Sequence, residues 1–409
     1  MVDNIVKKEY SLLYTGQKEG SKGGNMLRNI PLRFLLIVLV FSLAASIIAC
    51  GKEEGPFNPD NTTIDVPEYV GYALAAHSDS IAVIDLAEYE VVGIHRICRD
   101  KEYVGDFAIG PDGNLYCSVT SIGLATWLGG GSSGKIIRVM NPATGEVVDE
   151  IEVSERPRRM TTLPGGKALV EHDIFLREEG GIPFEVIDMN SNTVAKTLYF
   201  TRGAGETLHS PEGKFYIGIV DINEEYGGYT LIEFDPQTND TVGDPITLRT
   251  DFLFETAAFA TSSKIYALKP PAEEALENET SPSWTLAVLE FPSGNLLKTI
   301  SVPEYPRDIM VAGQKAYVSH FSVGSWQAAE NQGIVSVIDV NTDQVLKTIE
   351  VCLGPRHSAY SESTGKIYVG CVEGKISVID PSTDKVIETI VCDDARVGGW
   401  GFFRIKVPR

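Results

Sequence analysis

The sequence predicts an all-β fold: a seven-bladed β-propeller whose ring is closed by its own C-terminal strand. Three observations predict it. One hairpin text is written seven times, a second strand pair precedes most copies, and the two chain ends are complementary fragments of one unit.

The hairpin text runs apolar–x–Val/Ile–Ile/Leu–Asp–x–x–Thr/Ser–x–x–Val–x–x–Thr–Ile. Its clearest copies are ISVIDPSTDKVIETI from Ile376 and VSVIDVNTDQVLKTI from Val335. The others begin at Ile81, Ile136, Phe184, Leu231 and Leu286, the last with Glu290 in place of the turn Asp. Apolar and polar residues alternate on each side of the turn, which is the period of a strand. Asp, Asn, Ser, Thr, Pro and Gly fill the turn because they bond their own backbone or accept left-handed dihedrals.

The second strand pair reads HSAYSESTGKIYVGCV from His357, DFAIGPDGNLYCSV from Asp106 and ETLHSPEGKFYIGIV from Glu206. Ser-Thr-Gly, Pro-Asp-Gly and Pro-Glu-Gly supply its turns. Four short antiparallel strands per unit, repeated at a spacing in the mid-forties, describe a blade with strand A innermost and strand D outermost.

The ends test this reading. The first copy begins at strand B, from Tyr69 to Ala75, with no strand A before it. The last complete blade ends near Cys392, and GWGFFRIKV, Gly399 to Val407, follows as a lone strand. That strand supplies the missing strand A of the first blade, and closure removes the open sheet edges.

The text VIDxxTxxVxxTI, followed by Pro-Arg and then Gly-Lys-Ile-Tyr-Val, resembles the YVTN-type β-propeller repeats of bacterial and archaeal surface proteins. The resemblance covers residues 68–409; it is strongest in the last two blades and weakest in the fifth. It implies the fold and leaves function open, because propellers host binding, scaffolding and many enzymes.

Residues 26–49 read as a lipoprotein signal peptide. Arg28 and Arg33 form its positive start, and Phe34 to Ile48 is apolar over about fifteen residues, too short for a full membrane span. Ile47-Ile48-Ala49-Cys50 resembles a lipobox, which implies cleavage before Cys50 and diacylation of its thiol. An uncleaved anchor helix is the alternative. Both place the propeller in the cell envelope, membrane-anchored and extracytoplasmic. Residues 1–25 read as a polar extension upstream of the true start at Met26, residues 50–67 as a flexible tether, and residues 68–409 as the propeller.

Removing the first fifty residues takes the net charge from −21 to −24. Such a surface repels nucleic acid and anionic lipid, so no nucleic-acid partner is expected. The expected state is a monomer. Cys98, Cys352 and Cys392 fall at the ends of D strands and Cys371 at the end of a B strand. Strands B and D of one blade stand about 9–10 Å apart, too far for a Cys371–Cys392 bridge. Small, partly buried thiols are the preferred reading over any disulfide, and a bridge between another pair stays open.

Function is expected on the face that carries the B–C connections. These are long in five blades: Thr120 to Gly134, His172 to Gly181, Asp221 to Gly228, Lys269 to Ser283 and His320 to Gly333. They carry or border Trp127, Phe175, Tyr226, Trp284, Phe321 and Trp326, either an exposed binding rim or caps on the blade tops. The D–A junctions open on the same face. Arg158, Arg307 and Arg356 each follow a proline there, and Arg99, Arg202, Arg249 and Arg396 sit in the other junctions. Guanidinium groups at a channel mouth bind carboxylates or phosphates bidentately; the structural alternative is repeat glue.

His77, His172, His209, His320 and His357 are all expected on this face, and His95 reads as ordinary. The ligand-binding candidates are thus Arg158, Arg307, Arg356, His172, His320, His357 and Trp326. No metal or cofactor is expected, since a metal site needs two or three converging ligands and no zinc spacing appears. No nucleophile elbow, phosphate loop or zincin helix is present. The chain therefore reads as a binding or interaction module for a protein or a small anionic ligand. The alternative is a channel-mouth enzyme, a lactonase-like hydrolase or a metal-dependent oxidoreductase, assembled from single residues on several blades.

Overall fold

The computed structural model describes residues 63–74, 79–99, 102–121, 134–172, 181–200, 203–221, 228–248, 256–269, 284–321, 333–392 and 404–407. These belong to a compact unit, Pro59–Arg409. The expected signal peptide, Cys50 and most of the tether lie outside the described residues. No helix among the described residues is long and apolar enough to cross a membrane.

Seven four-stranded antiparallel sheets make the ring of a β-propeller, with no helix among the described residues. Blade 1 holds strands B to D at Val70–Leu74, Ser80–Asp85 and Glu90–Arg96, with Arg404–Lys406 as strand A. Blade 2 runs A to D through Glu102–Ile109, Leu115–Ser121, Ile136–Met140 and Val147–Glu152. Blade 3 is Pro157–Leu163, Lys167–His172, Ile182–Asp188 and Thr193–Phe200. Blade 4 is Gly203–His209, Phe215–Asp221, Gly228–Asp235 and Asp240–Leu248. Blade 5 is Ala257–Thr261, Lys264–Lys269, Trp284–Glu290 and Leu296–Val302. Blade 6 is Pro306–Ala312, Lys315–His320, Gly333–Asp339 and Gln344–Val351. Blade 7 is Pro355–Ser361, Lys366–Cys371, Lys375–Asp380 and Lys385–Val391.

The C-terminal strand closes blade 1 in the register Tyr72↔Lys406, Ala73↔Ile405 and Leu74↔Arg404. The described strand is Arg404–Lys406, and residues 399–403 of the expected strand lie outside the described residues. The closing strand is locked sideways as well. Lys406 Nζ donates to the carbonyls of Phe107 in blade 2 and Met160 in blade 3, and lies 3.0 Å from Asp106 Oδ1. Asp106 Oδ2 accepts from Met160 N at 2.9 Å.

Strands B and C are apolar on both faces because neighbouring blades cover both. One core cluster joins Tyr116 and Val139 of blade 2 to Met160, Val170 and Ile187 of blade 3. Each such side chain contributes about 1.5–3 kcal/mol when removed from water.

The seven hairpin texts fold alike, which explains their spelling. The turn Asx oxygen accepts the backbone N–H two residues on in six blades, for example Asp380 Oδ1 from Ser382 N and Asn141 Oδ1 from Ala143 N, both at 2.8 Å. Four residues after the turn Asp, Asn or Glu, every blade has a positive φ: Tyr89, Gly145, Asn192, Asn239, Gly294, Asp343 and Asp384. Asn, Asp and Gly are the residues that visit this region at least cost.

That left-handed residue is also the socket for the preceding blade. Lys264 Nζ lies 2.8 Å from Asp343 Oδ1, and Tyr266 Oη donates to the same oxygen. Lys315 and Tyr317 repeat this on Asp384 at 2.8 and 2.9 Å. Lys167 reaches Asn239 at 2.7 Å and Tyr116 reaches Asn192 at 2.6 Å. The Lys-x-Tyr of strand B and the Thr-Asp of the next turn are the two halves of one inter-blade joint.

The described end of the tether is docked on this framework. Ile64 N donates to Ala143 O at 2.6 Å, in the C–D turn of blade 2, and its side chain is buried. It lies across Gly93 in the outer strand of blade 1, where an added Cβ would stand 1.9 Å from Ile64 Cδ1.

Candidate functional site

The A–B and C–D turns share one face of the ring. The B–C connections and D–A junctions share the other. The strand ends agree with the five long B–C connections, whose interiors, including Trp127, Phe175, Tyr226 and Trp326, lie outside the described residues. Trp284 and Phe321 stand at the roots of two connections and are only 6% and 4% exposed. Trp284 stacks on Tyr305 with ring centroids 5.1 Å apart. These two aromatics cap strand ends instead of forming an exposed rim.

The junctions of blades 3, 6 and 7 share a backbone device. A residue with positive φ (Arg156, Tyr305, Gly354) precedes a proline that opens strand A. The prolines pair with the last residue of strand B: Pro157↔His172, Pro306↔His320 and Pro355↔Cys371. Pairing then skips one residue, so Arg158, Arg307 and Arg356 are the extra residues of three β-bulges on the channel-lining strands. A bulge re-aims its side chain away from the ladder. Blade 2 has the bulge without the arginine, because Gly105 sits there and an added Cβ would stand 3.1 Å from Arg158 O.

Two of the three arginines lie against one aromatic ring. Arg356 Cζ lies 4.3 Å and Arg307 Cζ 5.8 Å from the centroid of the Phe321 ring. Blades 6 and 7 thus place two cations on one aromatic ring, a geometry worth about 0.5–2 kcal/mol per cation. Arg158 occupies the equivalent exposed position in blade 3. Arg99 Nη2 approaches Glu150 Oε1 at 3.8 Å. Arg202, Arg249 and Arg396 lie outside the described residues.

The histidines are dispersed. His172 is fully buried: Nδ1–H donates to Glu155 O at 2.8 Å, and Nε2 lies 2.9 Å from Glu185 Oε2, off the ideal hydrogen-bond direction. Ser154 donates to the same carboxylate through N and Oγ, at 2.9 and 3.0 Å. Burial would raise the Glu185 carboxyl, but His172 and Ser154 outweigh it and hold the group below its ordinary range. His320 is its counterpart in blade 6. Its Nε2 is 2.9 Å from Ser336 Oγ; burial pushes its pKa down to about 4.

His357, half-buried, is the third residue of strand A in blade 7. His209 departs from expectation. It ends strand A of blade 4 beside the A–B turn, on the opposite face, and stacks on Phe215 at 4.7 Å. His77 lies outside the described residues. Among the described residues no three His, Cys, Asp or Glu side chains come together as a metal site.

The expectation that the cysteines are all thiols is corrected. Cys352 and Cys371 form a disulfide with Cα atoms 5.9 Å apart. The distance argument compared strands within one blade. Cys352 instead leaves strand D of blade 6 and enters the junction that crosses the end of strand B in blade 7. Cys371 stands where His172 and His320 stand; His172 bonds the Glu155 carbonyl of its junction, and Cys371 holds its own junction covalently. Cys98, Cys117 and Cys392 are buried free thiols.

Comparison with known proteins supports the class of fold alone. No protein-family model matches the chain. No curated protein matches it. Among solved structures, a functionally unknown protein from Desulfotomaculum acetoxidans DSM 771 is similar, with a TM-score of 0.57 and 14% identity over 84% of this chain and 100% of that one. Dihydro-heme d1 dehydrogenase NirN in complex with DHE is similar at a TM-score of 0.51 and 12% identity, over 92% and 78% of the two chains. Hydrazine synthase of Kuenenia stuttgartiensis follows at 0.48 and 16%, over 68% and 76%. The chain is a seven-bladed β-propeller, a fold that fits a binding or interaction module.

Proposed function

We propose that this propeller, of the YVTN repeat type, is lipid-anchored through Cys50 on the extracytoplasmic side of a membrane. There it binds a protein or a small anionic ligand through the face carrying the B–C connections, as a monomer without nucleic acid. The observation that carries the ligand reading is the convergence of Arg307 and Arg356 on Phe321, at 5.8 and 4.3 Å. Arg158 extends the same chemistry across the channel mouth. His172, His320, His357 and Trp326 are the further ligand-binding candidates of that face.

The likeness to a dehydrogenase is one of fold and does not bring that chemistry here.

Two measurements test the proposal. Metabolic lipid labelling should mark the wild-type chain and not Cys50→Ser; an exported wild type without label sinks the anchor. In a thermal-shift screen of phosphate and carboxylate anions on the full chain, a stabilising anion should lose its effect in Arg307→Gln/Arg356→Gln. A shift that survives the double substitution removes these arginines from the ligand site.

A further inference from the structure

Blade 7 fastens its Arg-bearing junction with the one disulfide among the described residues. We propose that this bond is a redox-operated clamp on the Arg356–Phe321 contact. The inference rests on reading that contact as part of the ligand face, and it names the control of that face.

The clamp acts over a short lever. Leu353, Gly354 and Pro355 are all that separate Cys352 from Arg356. Gly354 has φ 66°, and a Cβ there would stand 3.1 Å from Phe321 Cε2. The junction is held to the end of strand B and the stretch just beyond it. Leu353 N donates to Glu373 Oε1 at 2.8 Å, and Val372 N donates to Gly354 O at 3.1 Å. Cys352 N donates to Ser377 Oγ at 2.9 Å, and Pro355 pairs with Cys371. The covalent bond between Cys352 and Cys371 sits in the middle of these contacts. Once it opens, single hydrogen bonds hold the segment, and ordering such a segment costs about 1–2 kcal/mol per residue.

The pseudo-symmetry identifies blade 7 as the reducible site. In blade 3 the equivalent fastening is the hydrogen bond of His172 to the Glu155 carbonyl, and in blade 6 the equivalent residue is His320, bonded to Ser336. No reductant opens either of these. Exposure within the bond is asymmetric: Cys352 is partly exposed and Cys371 fully buried. Cys98 and Cys117 are removed from competition, because burial pushes both thiols well above their ordinary range and the thiolate is the reactive form.

The step balances with a dithiol as reductant. Its thiolate attacks Cys352 Sγ, the Sγ–Sγ bond breaks, and Cys371 leaves as a thiolate that takes up a proton. The second thiol of the reductant then displaces Cys352 from the mixed disulfide. Two electrons and two protons pass to the protein, and the reductant leaves as a disulfide.

The test compares the oxidised full chain with the chain treated with dithiothreitol, quenched by alkylation and followed by hydrogen exchange and titration with inorganic phosphate. Reduction should label Cys352 and Cys371 and raise exchange over residues 352–358 by about tenfold or more. Residues 153–159 and 302–308 should stay unchanged. Phosphate affinity should fall by about tenfold as Arg356 loses its preorganised position. A Cys352→Ser/Cys371→His variant puts the blade 3 residues Ser154 and His172 at these two positions, with Ser377 standing where Ser336 meets His320 in blade 6, and should be folded, slow to exchange and indifferent to dithiothreitol. Complete reduction with no change at 352–358, or with exchange rising throughout the ring, overturns the clamp. So does a folded Ser/His variant that exchanges fast in that segment. Failure of phosphate to bind either form sinks the ligand reading instead, and the exchange data still decide the clamp.

Discussion

His320 in blade 6 and Cys371 in blade 7 are the same residue of the repeat: each ends strand B and pairs with the proline that opens strand A, Pro306 and Pro355. One is a neutral ring bonded to Ser336, the other half of a disulfide. Each stands at a junction that delivers an arginine to Phe321.

The histidine form carries a pH signature. Burial holds the pKa of His320 at about 4 against an ordinary 6.5. The unfolded chain therefore takes up a proton before the folded one does. The stability tied to a neutral His320 is complete above pH 6.5, is lost as pH falls towards 4, and changes no further below it. The full span is roughly 3 kcal/mol. Urea unfolding from pH 7.5 to 4 should show this slope in the wild type and a flatter one in His320→Gln. Equal slopes would remove His320 as the titrating group.

Asp343 tests the inter-blade joint. It has φ 56°, and its carboxylate meets Lys264 at 2.8 Å, Lys298 at 2.9 Å and the Tyr266 hydroxyl. Burial raises its pKa, but those three partners outweigh it and hold the carboxyl below its ordinary range. The joint is thus complete above about pH 4 and weakens as pH falls below it. Asp343→Ala loses the acceptor and places a Cβ residue in the left-handed region without local compensation, so it should cost about 2–4 kcal/mol. Asp343→Asn keeps an acceptor and tolerance of that region and should cost about half as much. Chemical denaturation of both variants checks the order; an Asn variant as weak as Ala would show that charge alone matters.

The fold was legible because its information is periodic. Alternation, turn residues and the split blade each recur, so an error at Glu290 in one copy does not hide the other six. The site was legible only in part. Pro157-Arg158, Pro306-Arg307 and Pro355-Arg356 marked the junctions, but nothing in the spelling said that Phe321 would gather two of the three. The disulfide was missed because Cys352 was assigned to the blade it leaves rather than the one it crosses. The pairing of Cys371 with His172 and His320 in an alignment of the repeats was the signal that could have found it. His209 was misplaced because strand A of blade 4 runs on to the A–B turn, and the residue sits at its last position.

The tether makes a separate expectation. Ile64 fills the space that Gly93 leaves, so Gly93→Val should evict it. The ring should remain folded, since Gly93 lies in an outer strand with its neighbours partly exposed. Limited proteolysis near residues 63–67 should then speed up by at least about tenfold, because an undocked segment is a cleavage site. Ile64→Asp should give the same result. Unchanged cleavage in both variants would mean that the segment is not held by this contact.

The closing strand rests on one buried ion pair. Asp106 is 1% exposed and lies 3.0 Å from Lys406 Nζ, while Phe107 N and Met160 N also donate to its carboxylate at 2.8 and 2.9 Å. Lys406 in turn crosses blade 2 to the Met160 carbonyl of blade 3 at 2.7 Å. Lys406→Met keeps the apolar stem but loses the ammonium that lies 5.2 Å from the Phe107 ring centroid, and leaves the carboxylate buried without its cation. Removing one member of a buried pair costs about 3–5 kcal/mol. Asp106→Asn/Lys406→Met removes both charges and keeps an acceptor for Met160 N, so it should recover a substantial part of that loss. Deleting residues 398–409 removes strand A of blade 1 together with the lock and should give an insoluble or much less stable ring. The order of stability expected in urea is wild type, double variant, Lys406→Met, then the deletion. If Lys406→Met melts with the wild type, the closing strand is held by its ladder with Tyr72, Ala73 and Leu74 and not by the pair.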